Sequence, residues 1–145
     1  MRELIAKLQG EWAVVSTLEP NDTRPPAERQ GLEIWKSGPG GRAVIEEYWS
    51  SERKLVGHAT LWEASPGRFK ALWCDESGCR LLARPAEWRN GLFVIEDEAS
   101  TGDGSQALRE TFGFTSPDRF TQRLYSGPSF DKLALIETIT AVRRK

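Results

Sequence analysis

Apolar and polar residues alternate with a period of two along most of the chain, and clusters of Gly, Pro, Ser, Asn and Asp interrupt the alternation about every ten residues. The segments between these clusters are rich in Val, Ile, Phe, Trp and Thr, which is typical of half-buried β-strands. The pattern predicts a short helix over residues 2–9 and a meander of about ten strands, over residues 11–17, 28–36, 42–49, 54–63, 68–74, 79–88, 92–98, 106–115, 119–125 and 131–143.

The dipeptide Asn90-Gly91 is the clearest turn signal in the chain. Both residues tolerate the positive φ angles that a two-residue hairpin turn requires. A turn at this site pairs Trp88 with Phe93 and places the apolar residues of both strands on one face. Register and hydrophobic pattern therefore agree for this hairpin.

A second hairpin is predicted around Ser116-Pro117-Asp118. A three-residue turn over residues 117–119 pairs Phe112 with Leu124 and sends Arg123 and Tyr125 to the polar face. An arginine and a tyrosine spaced by two could hold a carboxylate from one face of a strand. The predicted register places this pair outside, which argues against a fatty-acid clamp.

The edges of so many short strands need protection in a chain of 145 residues. Closing the sheet on itself removes the edges altogether, so a barrel is preferred over a sandwich. The sequence predicts one all-β domain over residues 1–145, an antiparallel up-and-down barrel with a short N-terminal helix. The last strand is expected to pair with the first.

The net charge and its distribution limit the classes of binding partner that the sequence predicts. The formal net charge is −1, with 20 basic and 21 acidic residues that alternate along the chain without forming blocks. Such a distribution predicts no nucleic-acid partner and no membrane surface. The N-terminus has no apolar run long enough for a leader peptide or a membrane span, so a cytoplasmic location is expected. Composition leaves a homodimer open.

Cysteine and histidine usage limits metal and redox chemistry. Cys74 and Cys79, with the single His58, cannot supply the four ligands of a structural zinc site. The two cysteines flank a hairpin loop and are expected to face each other as free thiols in a reducing cytoplasm. A lone histidine on a strand is more often an ordinary residue than a haem ligand, and no cofactor is expected.

The segment Leu8-Gln9-Gly10-Glu11-Trp12 resembles the Gly-x-Trp motif that begins the first strand of lipocalins and their relatives. In that superfamily an arginine near the C-terminus often covers the tryptophan, a cation–π contact. The resemblance implies that Arg143 or Arg144 lies against Trp12 at the closed end of the barrel.

The whole chain is similar to an uncharacterised bacterial lipocalin-like domain family of the calycin superfamily. The shared features are spread along the chain: Leu8-x-Gly10-x-Trp12, Gly40-Gly41-Arg42, Phe69-x-x-x-Trp73-x-Asp75-x-x-Gly78, Asp118-x-Phe120 and Ile136-Glu137. Leu61-Trp62-Glu63 departs from the Gly-Tyr-Asp that the family usually has. The resemblance implies a calycin-type barrel and no particular chemistry.

Candidate ligand-binding residues follow from strand parity, because an inward aromatic residue fixes its neighbours two positions away as inward. The six tryptophans of the chain either line a cavity or fill it. The residues predicted to line the interior are Glu47, Trp49, Phe69, Trp73, Glu110, Phe112, Phe114 and Gln122.

These residues favour a barrel that binds a small apolar or amphipathic ligand, uncharged or cationic rather than a fatty acid. Two alternatives stay open. Glu47 or Glu110 could serve an isomerase or hydrolase, for which a buried glutamate near Arg109 would be the sign. A solid barrel would instead indicate an interaction module. If Glu47 and Glu110 each lie near a barrel mouth, solvated or paired with an arginine, their role is structural only.

Overall fold

The structure is a computed structural model that describes residues 1–21, 25–101 and 104–145, and the chain forms a closed antiparallel β-barrel. One short helix, α1, and a turn of 3₁₀ helix at Pro39–Gly41 accompany the strands. The element bounds are α1 Arg2–Leu8, β1 Gly10–Leu18, β2 Ala27–Ser37, β3 Ala43–Ser50, β4 Leu55–Ser65, β5 Arg68–Asp75, β6 Gly78–Leu81, β7 Ala86–Arg89, β8 Leu92–Thr101, β9 Gly104–Ser116, β10 Arg119–Gly127 and β11 Ala134–Arg143.

The strands pair in the order β4-β3-β2-β1-β11-β10-β9-β8-β7-β5, and β4 pairs with β5 to close the barrel. The predicted all-β barrel and the pairing of the last strand with the first are confirmed. The predicted strand over residues 79–88 is wrong in one respect, since it divides into β6 and β7. Pro85, which has no N–H to donate, lies in the break between them.

The Asn90-Gly91 hairpin is confirmed. Trp88 lies opposite Phe93. Asn90 has φ of 50° and Gly91 has φ of 80°, so both residues of the turn are in the left-handed region. This hairpin joins β7 to β8 and sets which side chains of β8 point inward.

The predicted register of the β9–β10 hairpin is wrong by two residues. Phe112 lies opposite Gln122, whereas the sequence predicts Leu124 as its partner. The reason is an irregularity between Arg119 and Phe120, which pairs Arg119 with Ser116 and shifts the strand beyond it. A shift of two preserves the faces, so Gln122 and Leu124 still point inward.

Aromatic side chains and α1 fill one end of the barrel, called here the closed half. Leu4 and Leu8 of α1 are fully buried against this end. The rings pack at edge-to-face or tilted angles, with centroids 4.7 Å apart for Trp12 and Phe120, a geometry that aromatic quadrupoles favour. The buried rings of the closed half are Trp12, Trp35, Phe69, Phe93, Phe112 and Phe120.

The predicted cation–π contact at the closed half is confirmed. The Arg143 guanidinium lies 4.1 Å from the Trp12 ring centroid. The same guanidinium donates to the carbonyl oxygens of Lys7, at 3.1 Å, and Gln9. Gly10 has φ of 135°, and a Cβ there would lie 2.5 Å from an Arg143 nitrogen. Glycine is therefore required at the start of the motif.

The expectation of free thiols is wrong, because Cys74 and Cys79 are joined by a disulfide. The two residues are direct cross-strand partners in the β5–β6 hairpin. Their Cα atoms are 4.0 Å apart, so the sulfurs meet without any movement of the backbone. The prediction that the two cysteines face each other across the hairpin is confirmed. Only their redox state, which was inferred from a reducing cytoplasm, is wrong.

Candidate functional site

A cavity of about 310 Å³ occupies the other end of the barrel, called here the open half. This volume is at the lower end of the range for small-molecule pockets. The barrel is therefore not solid, which removes the premise of the interaction-module alternative. The lining residues are Glu33, Glu46, Tyr48, Val56, Ala59, Leu61, Ala71, Leu72, Trp73, Arg80, Leu82, Ile95, Asp97, Leu108, Glu110, Gln122, Leu124, Glu137 and Ile139.

Three glutamates, here called the acidic band, project into the cavity: the buried Glu33 from β2, the buried Glu46 from β3 and the partly buried Glu110 from β9. Glu33 accepts a hydrogen bond from Trp35 Nε1 at 2.9 Å. Glu110 accepts one from Gln122 Nε2. Among the described residues, none donates a hydrogen bond to Glu46 and none forms an ion pair with any of the three.

Burial sets the protonation of the acidic band. Desolvation raises the pKa of Glu33 to about 7 and that of Glu110 to about 7, against the hydrogen bonds that each accepts. The pKa of Glu46 is raised well above its ordinary value by burial and then by the charges of Glu33 and Glu110. Glu33 and Glu110 can therefore gain or lose a proton near neutral pH.

Gln122 presents an unused acceptor to the cavity. Its amide nitrogen donates to Glu110, and its Oε1 is buried without any hydrogen-bond partner within the part of the chain that the structure describes. A buried acceptor left unpaired costs about 1–3 kcal/mol. A donor from a bound molecule would satisfy it.

The mouth of the cavity is framed by two aromatic rings that lie on glycines. The Trp73 ring packs on Gly57, where a Cβ would come within 2.6 Å of the indole. The Tyr48 ring packs on Gly31 in the same way, at 2.9 Å. Glycine inside a strand often marks such a close approach. The two glycines therefore leave the space that these large rings occupy at the rim.

One basic side chain, Arg80, is found among the described residues that line the cavity. It is half exposed, and its Nε lies 3.7 Å from Asp97 Oδ2. Glu137, on β11, accepts a hydrogen bond from the buried Ser16 hydroxyl. The interior surface is thus apolar with an excess of carboxylates. No three acidic, histidine or cysteine side chains of the described ranges lie close enough to hold a metal ion.

On the outer face of the barrel, the buried carboxylate of Glu96 has arginine partners, unlike the glutamates of the cavity. Glu96 accepts hydrogen bonds from Arg89 at 2.9 Å and Arg109 at 2.7 Å. Burial alone would raise the pKa of Glu96, but the two guanidinium groups outweigh it and hold that pKa below its ordinary value. Because Arg109 pairs with Glu96 on the outer face, Arg109 meets none of the glutamates that line the cavity.

Of the eight predicted lining residues, Trp73, Glu110 and Gln122 line the cavity. Phe69 and Phe112 point inward but lie below it, packed in the closed half. Phe114 also lies at the closed end, where Lys7 Nζ is 5.1 Å from its ring.

The predicted inward orientation of Glu47 and Trp49 is wrong. Glu47 lies on the outer face, where it accepts from Lys36 Nζ at 2.6 Å and from Trp49 Nε1 at 3.3 Å. The opposite face of β3 points inward and carries Glu46 and Tyr48. The cause lies in the sequence of β3, which has neighbouring apolar residues at both ends, Val44 with Ile45 and Tyr48 with Trp49. Both faces of the strand therefore carry apolar residues, and the alternation does not show which face points inward.

Four lining residues were not predicted from the sequence: Glu33, Glu46, Tyr48 and Glu137. A signal existed for Glu33, because it shares parity with the large Trp35 and with Gly31 on β2. Glu46 likewise lies on the same face of β3 as the apolar Val44. Each signal was an acidic residue on a face otherwise occupied by buried residues.

No family model and no curated protein matches the sequence. Solved structures of similar shape do exist. The S-type phycobiliprotein lyase CPES from Guillardia theta superposes with a TM-score of 0.69 at 15% identity, covering 99% of this chain and 92% of that one. Rv2717c from M. tuberculosis gives 0.62 at 13% identity, covering 99% and 96%.

A protein of unknown function from the DUF3598 family of Nostoc punctiforme gives a TM-score of 0.59 at 14% identity, over 97% of this chain and 48% of that one. At such identities these likenesses indicate the fold alone, a closed antiparallel β-barrel. Membership of the bacterial lipocalin-like family stays a prediction. Across the described residues, no helix has the length and apolar character needed to cross a membrane.

Proposed function

We propose that this barrel binds one small amphipathic molecule inside its open half. The observation that carries the proposal is a cavity of about 310 Å³ whose mainly apolar wall contains the acidic band and the unpaired Gln122 oxygen. Ligand pockets are typically apolar with a few convergent polar groups. The apolar body of the ligand would contact the wall, and its polar group would reach the band.

Small side chains create the space for the apolar body. Ala59 and Ala71 are buried and point inward on the neighbouring strands β4 and β5. Leu61 and Ile95 complete this side of the wall. Larger residues at the two alanines would fill the cavity in the way that rings fill the closed half. Retaining small residues there keeps the open half empty at a cost in packing.

The test is titration with 2-phenylethanol, which has an apolar body and one hydroxyl, followed by amide NMR shifts. We expect saturable shifts at residues around Ala59, Leu61 and Ile95. Ala71→Phe, which fills the cavity, should weaken binding at least tenfold. Lys70→Phe is the matched control, because Lys70 is exposed on the same strand.

The proposal is overturned if no amide lining the cavity shifts saturably in the wild type, or if Ala71→Phe binds the alcohol as well as Lys70→Phe does. Ala59→Phe provides a second cavity-filling variant on β4. Thermal unfolding of each variant checks that the barrel is intact before binding is compared.

A further inference from the structure

We propose that the polar group of the ligand is a protonated amine, held by Glu33, Glu46 and Glu110 with Gln122 Oε1 as an additional acceptor. This inference rests on the proposed function and names its ligand class. It is argued from the charge, the hydrogen-bond capacity and the position of these four side chains.

Charge is the first argument. The ionisable groups that face this region come from β2, β3, β6, β8, β9 and β11, and they are Glu33, Glu46, Tyr48, Arg80, Asp97, Glu110 and Glu137. Arg80 is paired with Asp97 at the mouth, so no lining cation of the described chain is left for the acidic band. A carboxylate in a low-dielectric site without a partner is costly, and a cationic ligand would supply the missing charge.

The outer Glu96 can be compared with the glutamates of the acidic band. The buried Glu96 on the outer face is held by two arginines, at 2.9 Å and 2.7 Å. Where a buried carboxylate has a structural role, this protein gives it arginine partners. The inner glutamates have none, which points to a partner that is not part of the chain.

Hydrogen-bond capacity is the second argument. Ionised carboxylates are acceptors only, and the amide nitrogen of Gln122 is already committed to Glu110. The free Gln122 oxygen is therefore a further acceptor beside the same glutamate. A primary ammonium carries three N–H donors and no acceptor, so it matches a set of acceptors on several strands. A carboxylate or phosphate ligand would instead be repelled by whichever of these glutamates is ionised.

Binding of a cation should also release protons. Glu33 and Glu110, with pKa values of about 7, are partly protonated at neutral pH in the empty barrel. A positive charge placed between them favours the ionised form and lowers both pKa values. The protons displaced pass to the solvent, where the buffer takes them up.

The experiment compares three probes with one aromatic body: 2-phenylethylamine, 2-phenylethanol and phenylacetate. At pH 7 the amine is protonated and the acid ionised. Calorimetry of the wild type should give an affinity for the amine at least tenfold above that for the alcohol, with phenylacetate weakest. Repeating the amine titration in two buffers of different ionisation enthalpy should show net proton release, which the alcohol should not show.

Matched variants locate the effect. Glu46→Gln and Glu110→Gln should each reduce the ratio of amine to alcohol affinity at least threefold. Glu47→Gln, an outward neighbour on the same strand as Glu46, should leave that ratio unchanged.

The outcomes separate the two proposals. If the alcohol binds in the cavity as tightly as the amine, or if phenylacetate binds best, the cation inference is wrong and the proposed ligand cavity stands. The cation inference is also wrong if Glu47→Gln changes the ratio as much as Glu46→Gln. If none of the three probes binds, both proposals are overturned.

Discussion

The closed and open halves of the barrel are built on the same strands but differ in how the interior is filled. In the closed half, rings such as Trp12 and Phe112 are at most 1% exposed and pack edge to face. In the open half, the same strands present alanine, glycine and glutamate, and a cavity remains. The difference indicates that the closed half stabilises the fold by close packing, whereas the open half is less closely packed and leaves space for a ligand.

The two halves also differ in what burial costs. Removing a ring from the closed half leaves a void in a filled core, and neighbours relax only partly. In the open half, the costly groups are the glutamates themselves, which lose hydration without gaining an ion pair. Truncating a ring in the closed half should therefore lower stability, whereas neutralising a glutamate in the open half should not.

The largest effect is expected in the closed half. Phe112→Ala should lower the free energy of unfolding by about 3–5 kcal/mol, because a fully buried ring is replaced by a void. Leu124→Ala, which lines an existing cavity, should cost about 2 kcal/mol or less. Urea unfolding measures both. Equal costs would mean that the open half is as tightly packed as the closed half.

Stability should depend on pH through the acidic band. The pKa of Glu110 is about 7 in the folded protein and 4.5 as the ordinary value, so folding takes up protons between these values. The sign follows directly: stability falls as pH rises from about 4.5 to 7, by about 3 kcal/mol for this group. Glu110→Gln should flatten the fall when urea midpoints at pH 5 and 7.5 are compared, whereas Glu47→Gln should not.

The disulfide should stabilise the hairpin at the mouth. Cys74 and Cys79 close a loop with a sequence separation of 5, for which chain entropy gives about 2 kcal/mol. Replacing both by serine should lower the free energy of unfolding by that amount. Thiol titration of the unreduced, denatured wild type should find no free thiol. Two free thiols would restore the original expectation of a reduced pair.

The smallest effect contrasts an inner and an outer charge. Arg109→Ala removes one of two arginines from Glu96, and because its side chain is 34% exposed the expected cost is about 1 kcal/mol. Glu46→Gln replaces a buried carboxyl group that has no hydrogen-bond donor or ion-pair partner among the described residues, so stability at pH 7.5 should stay equal or rise. A loss of stability in Glu46→Gln would show that the inner glutamate has a partner after all.

The fold was predictable because its determinants are local. Alternation predicted the strands, Asn90-Gly91 the β7–β8 hairpin, and the Gly-x-Trp motif the Trp12–Arg143 contact. Each of these rests on neighbouring residues or on a recognisable motif. The interior could be predicted only where one parity was clearly apolar, as it was for Glu110 beside Phe112.

The acidic band was not predictable as a unit. On β3, neighbouring pairs such as Tyr48 and Trp49 make both faces look apolar, and packing against the adjacent strands decides between them. The Tyr48 ring lies on Gly31 inside, while Glu47 meets Lys36 outside. Which glutamates meet across the interior depends on strand tilt and stagger, which no single strand encodes.

The position of Trp73 over Gly57 also has an optical consequence. Among the six tryptophans, all of which lie in described residues, Trp73 is the one that lines the cavity. Its indole sits at the rim and donates to Asp75 Oδ2 at 2.8 Å, so a molecule entering the barrel changes the surroundings of this ring first. The barrel therefore carries its own fluorophore at the entrance, and the emission lost in Trp73→Phe isolates the signal that reports occupancy.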